Sequence, residues 1–474
     1  MFDLILRNGL VVTPETVIRG GVSIDKGQIV RVGPDAALGS AARTINLAGK
    51  ILLPGLFDPH VHLGMGGIIG DDTMVEDFRH NTKDFLVGGV TTLASTTIPR
   101  GRDSIENTFD RAVYCAEGKS WCDYKFTSIP SFNNHVDEIG AITMRGGVDF
   151  KFFTGFAGEQ AADMGYNPAG ISLDLFFLAC EKISRSGAPA FAKIHAEDPY
   201  VRGILVDRLR SLGRGDKLVA WAESSPEWSE SLQVYTYGLI ADSLSVPLYP
   251  VHVSSAHTVD TIRRLKAGGM NIIGETVVAF LLTTAQEMDA AGMGEKAKIQ
   301  PPIRFDRDRD ALWQGVRDGT ISIVGTDSLT YTSKDRNGPD FWDCRVGLHL
   351  QAADTLSLMY DEGVRKRQIN LVTLAKVLSE NAARLYGLYP AKGAIIAGAD
   401  ADLVVFDPDR SVSLGADRYR GHTDYSIWEG REAQGVAVMT FLRGDLMMQD
   451  GEVVADAPAG RHLVDQTVSQ ATRR

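Results

Sequence analysis

The sequence predicts an α/β chain: a (β/α)₈ barrel with a small β-sandwich domain formed by both chain ends. Three observations predict it. Between Pro54 and about Leu385, short apolar runs alternate with amphipathic helical stretches, the mark of a parallel sheet built from βα units. Eight such runs can be counted, enough to close a barrel. Outside that span the texture changes to period-two alternation broken by turn residues, the pattern of antiparallel strands.

Residues 1–53 read as the first part of the sandwich, with strands in FDLILRN and GGVSIDKGQIVRVG and turn signals at Asn8-Gly9 and Lys26-Gly27. Residues 54–385 read as the barrel. Its strands are expected at 55–62, 90–96, 124–130, 148–154, 189–195, 247–253, 271–275 and 321–327, with helices such as 173–184, 231–244 and 258–267 between them. A long segment, 197–230, follows the fifth strand, and at the top of a barrel such a segment can line the site. Residues 386–460, with ADADLVVFDP and GVAVMTFLRGDLMMQDGEVV, return to the first texture and complete the sandwich. Residues 461–474 form a polar tail ending in Arg473-Arg474.

The chain has 474 residues, 44% hydrophobic and 23% charged, which is ordinary for a globular protein and argues against extensive disorder. Its formal net charge is −11, and no basic run is present that would neutralise phosphates, so nucleic acid is not expected as a partner. The stretch MFDLILRNGLVVTPE lacks the features of a secretory signal, and no apolar run approaches the ~18 residues of a membrane span. A cytoplasmic protein with no membrane partner is expected. Cys115, Cys122, Cys180 and Cys344 form no CxxC pair and read as buried free thiols; a metal site at Cys115 and Cys122 has no suitable histidine beside it.

The strongest local signal is PGLFDPHVH, because strand side chains alternate and His60 and His62 therefore point to one side. Alone, such a pair is as readily a core feature as a metal clamp. However, His195, His252 and Asp327 fall at the carboxyl ends of later expected strands, the edge where barrel active sites form. Imidazoles with one carboxylate suit zinc, or manganese, nickel or cobalt, better than calcium or magnesium. A second metal needs a bridging ligand, and Lys151, inward-facing near the end of the fourth strand, is the candidate. Desolvation would lower its pKa, and a neutral amine can add CO2 to give an anionic carbamate with two oxygens. The alternative is a barrel lysine held in an internal ion pair.

These residues spell a family. Through PGLFDPHVHL, FKFFTGF, KIHAED, VHVSSAHT, QPPIR, VGTDS, NAARLYGLYPAKGAIIAGADADLVVFDPD and HTDYSIWEG, nearly the whole chain resembles the cyclic amidohydrolases of the amidohydrolase superfamily. The likeness is greatest to the dihydropyrimidinase and hydantoinase branch, with allantoinase and dihydroorotase as relatives. The resemblance implies His60, His62, Lys151 and Asp327 on one divalent cation, and Lys151, His195 and His252 on the other, with Lys151 carboxylated (N6-carboxylysine) and bridging. It also implies a small-molecule amide or cyclic amide substrate and a homo-oligomer, tetramer or dimer. Hydroxide held between two cations is a strong nucleophile at neutral pH, with Asp327 as the general base and then acid.

Departures from the family pattern bear on the substrate. Where the family places an oxyanion-stabilising Tyr, the chain has Phe156; its Ser before Pro-Pro-x-Arg is Gln300; its ring-binding Asn falls near Gly347; and Ser328 follows Asp327 where His is usual. Arg304 is a further substrate-binding candidate, and His135, Lys298, Arg345 and His349 are other polar groups available nearby. The substrate is expected among cyclic imides, hydantoin-like rings or amides outside the family's usual set. Two alternatives stand beside this: a non-catalytic dihydropyrimidinase-like scaffold protein, and an amidohydrolase acting on a non-cyclic amide. A deaminase would not need Lys151.

Overall fold

The computed structural model describes residues 1–464 except 215, 337, 339 and 368, so most of the polar tail lies outside the described residues. Its central feature is a ring of parallel strands. Leu56–His62, Val90–Thr96, Asp123–Ser128, Asp149–Phe153, Phe191–His195 and Leu248–Pro250 lie side by side in chain order in one sheet. Gly274–Val277 and Ile321–Gly325 form a parallel pair. Leu248 joins that pair to the sixth strand through backbone bonds with Asn271 and Ile273, both 2.9 Å. On the other side Ser328 and Leu329 pair with Val61 and His62 of the first strand. Every strand of the large sheet is buried along its whole length, as expected where helices cover the outside.

Several strands are shorter or displaced relative to the sequence expectation, and at the sixth and eighth the backbone shows why. The sixth stops at Pro250 and the eighth at Gly325, because His252 and Asp327 adopt left-handed backbone, with φ of 41° and 49°. Non-glycine residues rarely take that conformation, and it ends the extended run. The seventh runs over Gly274–Val277 rather than 271–275, since Ile272 contributes only an isolated bridge to Leu248.

Helices Leu173–Ser186, Glu227–Ser243 and Ala256–Ala267 pack outside the ring. The segment after the fifth strand is itself helical. Pro199–Ser211 is capped by Asp198, whose carboxylate accepts from the Tyr200 and Val201 amides, and Lys217–Glu223 follows.

The chain-end strands join in one nine-stranded sheet. Phe2–Val12 pairs antiparallel with Val17–Asp25 and parallel with Ala41–Asn46 and Ile51–Pro54. Ile51–Pro54 in turn pairs with Leu403–Ser413, which ties the two ends of the chain together around a core that includes Leu6, Val22, Leu403 and Phe441. Lys26-Gly27 makes the expected hairpin turn, with φ of 51° and 79°. Asn8-Gly9 does not: it is a bulge inside the first strand, where the register shifts between Leu6 and Gly9. The start of the tail is docked, the Leu463 amide donating to Tyr124 O and the Tyr124 amide to Arg461 O, both 2.9 Å. Among the described residues no helix is long and apolar enough to cross a membrane. All four cysteines are buried and unbridged.

Candidate metal centre

His60 and His62 lie on one face of the first strand, and Asp327 comes down beside them from the turn after the eighth. Both Nε2 atoms sit 3.1 Å from Asp327 Oδ1, and the three side chains form a buried group compact enough to hold one cation. The left-handed φ at Asp327 aims the carboxylate there; such conformations persist where surrounding structure enforces them, often at functional sites.

The imidazoles are oriented from behind. His60 Nδ1 lies 2.9 Å from Glu275 Oε1, and Thr96 Oγ1 lies 2.9 Å from His62 Nδ1. With the far nitrogens so engaged, the Nε2 lone pairs face one another and Asp327, the arrangement that metal-binding histidines use. Burial lowers the pKa of His60 well below its ordinary value and that of His62 to about 4, so both are neutral at pH 7 and free to ligate. Burial likewise raises Glu275 to about 8, and a cation held nearby would favour its ionised form.

His195 and His252 complete the cluster. Their ring centroids are 4.4 Å apart, and His252 is 5.4 Å from His60. His252 Nδ1 is buried without a hydrogen-bond partner among the described residues, which suits a nitrogen that can take a cation, and His195 Nε2 lies 3.7 Å from Glu197 Oε2. Burial lowers both pKa values. A Cβ on Gly155 would approach the His195 ring to 2.5 Å, so only glycine lets the backbone pass so close.

Lys151 rises from the fourth strand into this cluster, its Nζ 2.7 Å from His60 Nε2 and 4.4 Å from the Phe153 ring centroid. Among the described residues no carboxylate lies within ion-pair distance of it. The internally paired barrel lysine is its neighbour in register, Lys193, whose Nζ is 2.8 Å from Asp149 Oδ2. Burial brings the Lys151 pKa down to about 7, with Asp327 opposing and Lys193 adding. Its amine is therefore substantially neutral at physiological pH.

The expected substrate contacts are placed differently. Gln300 Nε2 donates to Glu197 Oε2 at 2.7 Å, and Arg304 is committed to Ser254 Oγ (2.8 Å) and Ser225 O (2.6 Å). Gly347 has no side chain to offer, and its amide donates to Lys298 O at 2.9 Å. Phe156 packs its ring 4.9 Å from His195. Lys298 Nζ is caged by the carbonyls of Phe341, Trp342 and Cys344, His349 Nε2 accepts from the Ile427 amide, and Arg345 Nη1 donates to Gly67 O. His135 sits by Ser131, its Nδ1 accepting from that amide.

Glu275, Thr96 and Glu197 were not singled out from sequence. Glu275 closes an expected barrel strand, the rule that selected His195 and His252, and Glu197 lies inside the KIHAED motif. Glu197 is fully buried; Arg202, His195 and Ser225 outweigh the effect of burial and hold its pKa at about 2, so it is a carboxylate beside His195.

The Amidohydrolase family model matches residues 247–447, which include His252 and Asp327. The chain carries an amidohydrolase family domain. Similarity to amidohydrolases extends well beyond the matched span. The D-hydantoinase of Ralstonia pickettii is 26% identical over 468 residues, covering 97% of this chain and 98% of that protein. The L-hydantoinase of Paenarthrobacter aurescens is 26% identical over 469 residues, 98% of each. The crystal structure of dihydropyrimidinase from Brevibacillus agri superposes with a TM-score of 0.87 at 27% identity, covering 97% of this chain and 98% of that one.

Proposed function

We propose that the protein is a metal-dependent hydrolase that opens a cyclic amide, imide or ureide of the hydantoin and dihydropyrimidine kind at its C–N bond. The observation that carries this reading is the meeting of four neutral imidazoles, Asp327 and a lysine that has no carboxylate partner among the described residues, at the carboxyl edge of the barrel. His60, His62 and Asp327 would hold one divalent cation, zinc being the best match to the donor set, and His195 and His252 a second, with Lys151 as a carbamate between them. An amine whose pKa burial brings down to about 7 supports that modification. When bound, the cations would polarise the scissile carbonyl and activate water at neutral pH.

The chain's own residues do the rest. Asp327 takes the proton that the attacking water gives up and delivers it to the leaving nitrogen, so that a C–O bond forms, the C–N bond breaks and the carboxylate is regenerated. Glu275 and Thr96 fix the two histidine rings. Phe153 and Phe156 pack beside His195, with ring centroids 6.0 and 4.9 Å from its own. A non-catalytic scaffold would have no use for this undamaged donor set.

A homo-oligomer, dimer or tetramer, in the cytoplasm is the setting we propose. Trp228, Leu232, Tyr235 and Leu239 recur at helical spacing and are exposed on Glu227–Ser243, next to Phe177 and Leu178 on Leu173–Ser186. Exposed apolar side chains on two helices in contact support self-association. The test of the function is metal analysis combined with a hydrolysis screen over hydantoins, dihydrouracil, succinimide and simple linear amides. Turnover of a ring substrate that is lost with the metal supports the reading, and turnover of linear amides alone contradicts it.

A further inference from the structure

Opening an amide places negative charge on the carbonyl oxygen, and preorganised donors aimed at that oxygen contribute heavily to catalysis. Of the groups expected near the substrate, Gln300 and Arg304 are engaged elsewhere, and Phe156 has no hydroxyl. Tyr166 offers an unengaged donor. Tyr166 is 4% exposed, and its hydroxyl has no hydrogen-bond partner among the described residues. A buried tyrosine ordinarily satisfies its hydroxyl.

Its place in the fold puts it over the cluster. Tyr166 follows the short helix Gly158–Asp163 in the loop leaving the fourth strand. Its amide donates to Ala161 O at 2.8 Å, and the preceding Gly165 accepts from the Gly101 amide at 3.1 Å, tethering the loop to the one after the second strand. The Tyr166 ring stacks on Phe153, with centroids 4.5 Å apart and planes at 18°, and meets Phe156 at 6.1 Å. Phe153 in turn lies 6.5 Å from His62 and 6.0 Å from His195. Tyr166 is thus one ring removed from two of the histidines. Two other buried phenols are placed differently: Tyr249 packs against Phe191 and interacts with Glu275, and Tyr425 packs against His349.

We propose that Tyr166 is the oxyanion donor of this hydrolase, its hydroxyl donating to the scissile carbonyl oxygen as charge develops there. The inference rests on the reading of the centre as a cyclic amide hydrolase. Tyr166 keeps its proton throughout: the C–O bond forms from water, the C–N bond breaks, and the transferred proton travels through Asp327. Burial pushes the Tyr166 hydroxyl well above its ordinary pKa, with Tyr331 and the Asp327 carboxylate adding to the effect, which keeps it a donor.

Tyr166→Phe tests this in the metal-replete protein, on whichever of hydantoin, dihydrouracil and succinimide the wild type opens fastest. The expected result is a loss of ~10²–10³-fold in kcat, a KM within about threefold, and no change in bound metal or melting temperature, because the deleted hydroxyl has no structural bond to lose. Unchanged kcat overturns the donor role while leaving the proposed function standing. A fall in melting temperature together with lost metal marks a structural role and also overturns it. No ring opening by metal-replete wild type overturns the proposed function, and this inference with it.

Discussion

His60 Nδ1 sits 2.9 Å from Glu275 Oε1, and neither side chain reaches solvent. The carboxylate fixes which imidazole nitrogen carries the proton and which is left for a cation. Glu275→Gln preserves the shape but not the charge, so we predict metal affinity falling by about 10–100-fold, the usual effect of losing such a partner. Competition with a chelator measures it; unchanged affinity would remove Glu275 from the account.

Among the described residues Lys151 has no carboxylate partner, and its Nζ lies 2.7 Å from His60 Nε2 where the histidines meet. Lys151→Ala is expected to lose bound metal and turnover together, with part of both restored by short carboxylic acids that can occupy the vacated space. An active alanine variant with its full metal content would contradict a bridging carbamate.

The same lysine gives a pH dependence. Only the neutral amine adds CO2, and burial lowers the Lys151 pKa to about 7, so its neutral share climbs as pH rises through that value. An ordinary lysine near pKa ~10.4 would be less than ~0.1% neutral at pH 7. Reconstitution of metal-free protein with zinc at constant dissolved CO2 is predicted to become efficient between about pH 6 and 8. Onset only above about pH 9 would show that the amine is not depressed.

Much of this was legible in the sequence. Period-two alternation puts His60 and His62 on one face, and the rule that barrel sites form at strand ends selects His195, His252 and Asp327, so their meeting needed no tertiary information. The exact strand ends were not legible, because the left-handed turns at His252 and Asp327 leave no mark in residue type. Nor was Tyr166, which arrives from an irregular loop and meets Phe153 only through folding. Gln300 and Arg304 looked available for substrate because sequence shows donors but not the Glu197, Ser225 and Ser254 groups that occupy them.

Asp327 both joins the metal group and carries the proton in the proposed reaction. Asp327→Asn keeps an oxygen for the cation but cannot shuttle a proton, so we predict most of the metal retained and kcat reduced by about 10² or more. Near-normal kcat in a metal-replete variant would refute the assignment.

The central claim is that ring opening depends on cations held by this cluster. Metal-free protein titrated with zinc, in bicarbonate, while hydrolysis of a hydantoin, dihydrouracil or succinimide is followed, tests it most directly. The account predicts no turnover without metal and activity rising with bound zinc to a plateau near about two cations per chain. Full activity in metal-free protein, or none at full metal loading, would contradict it.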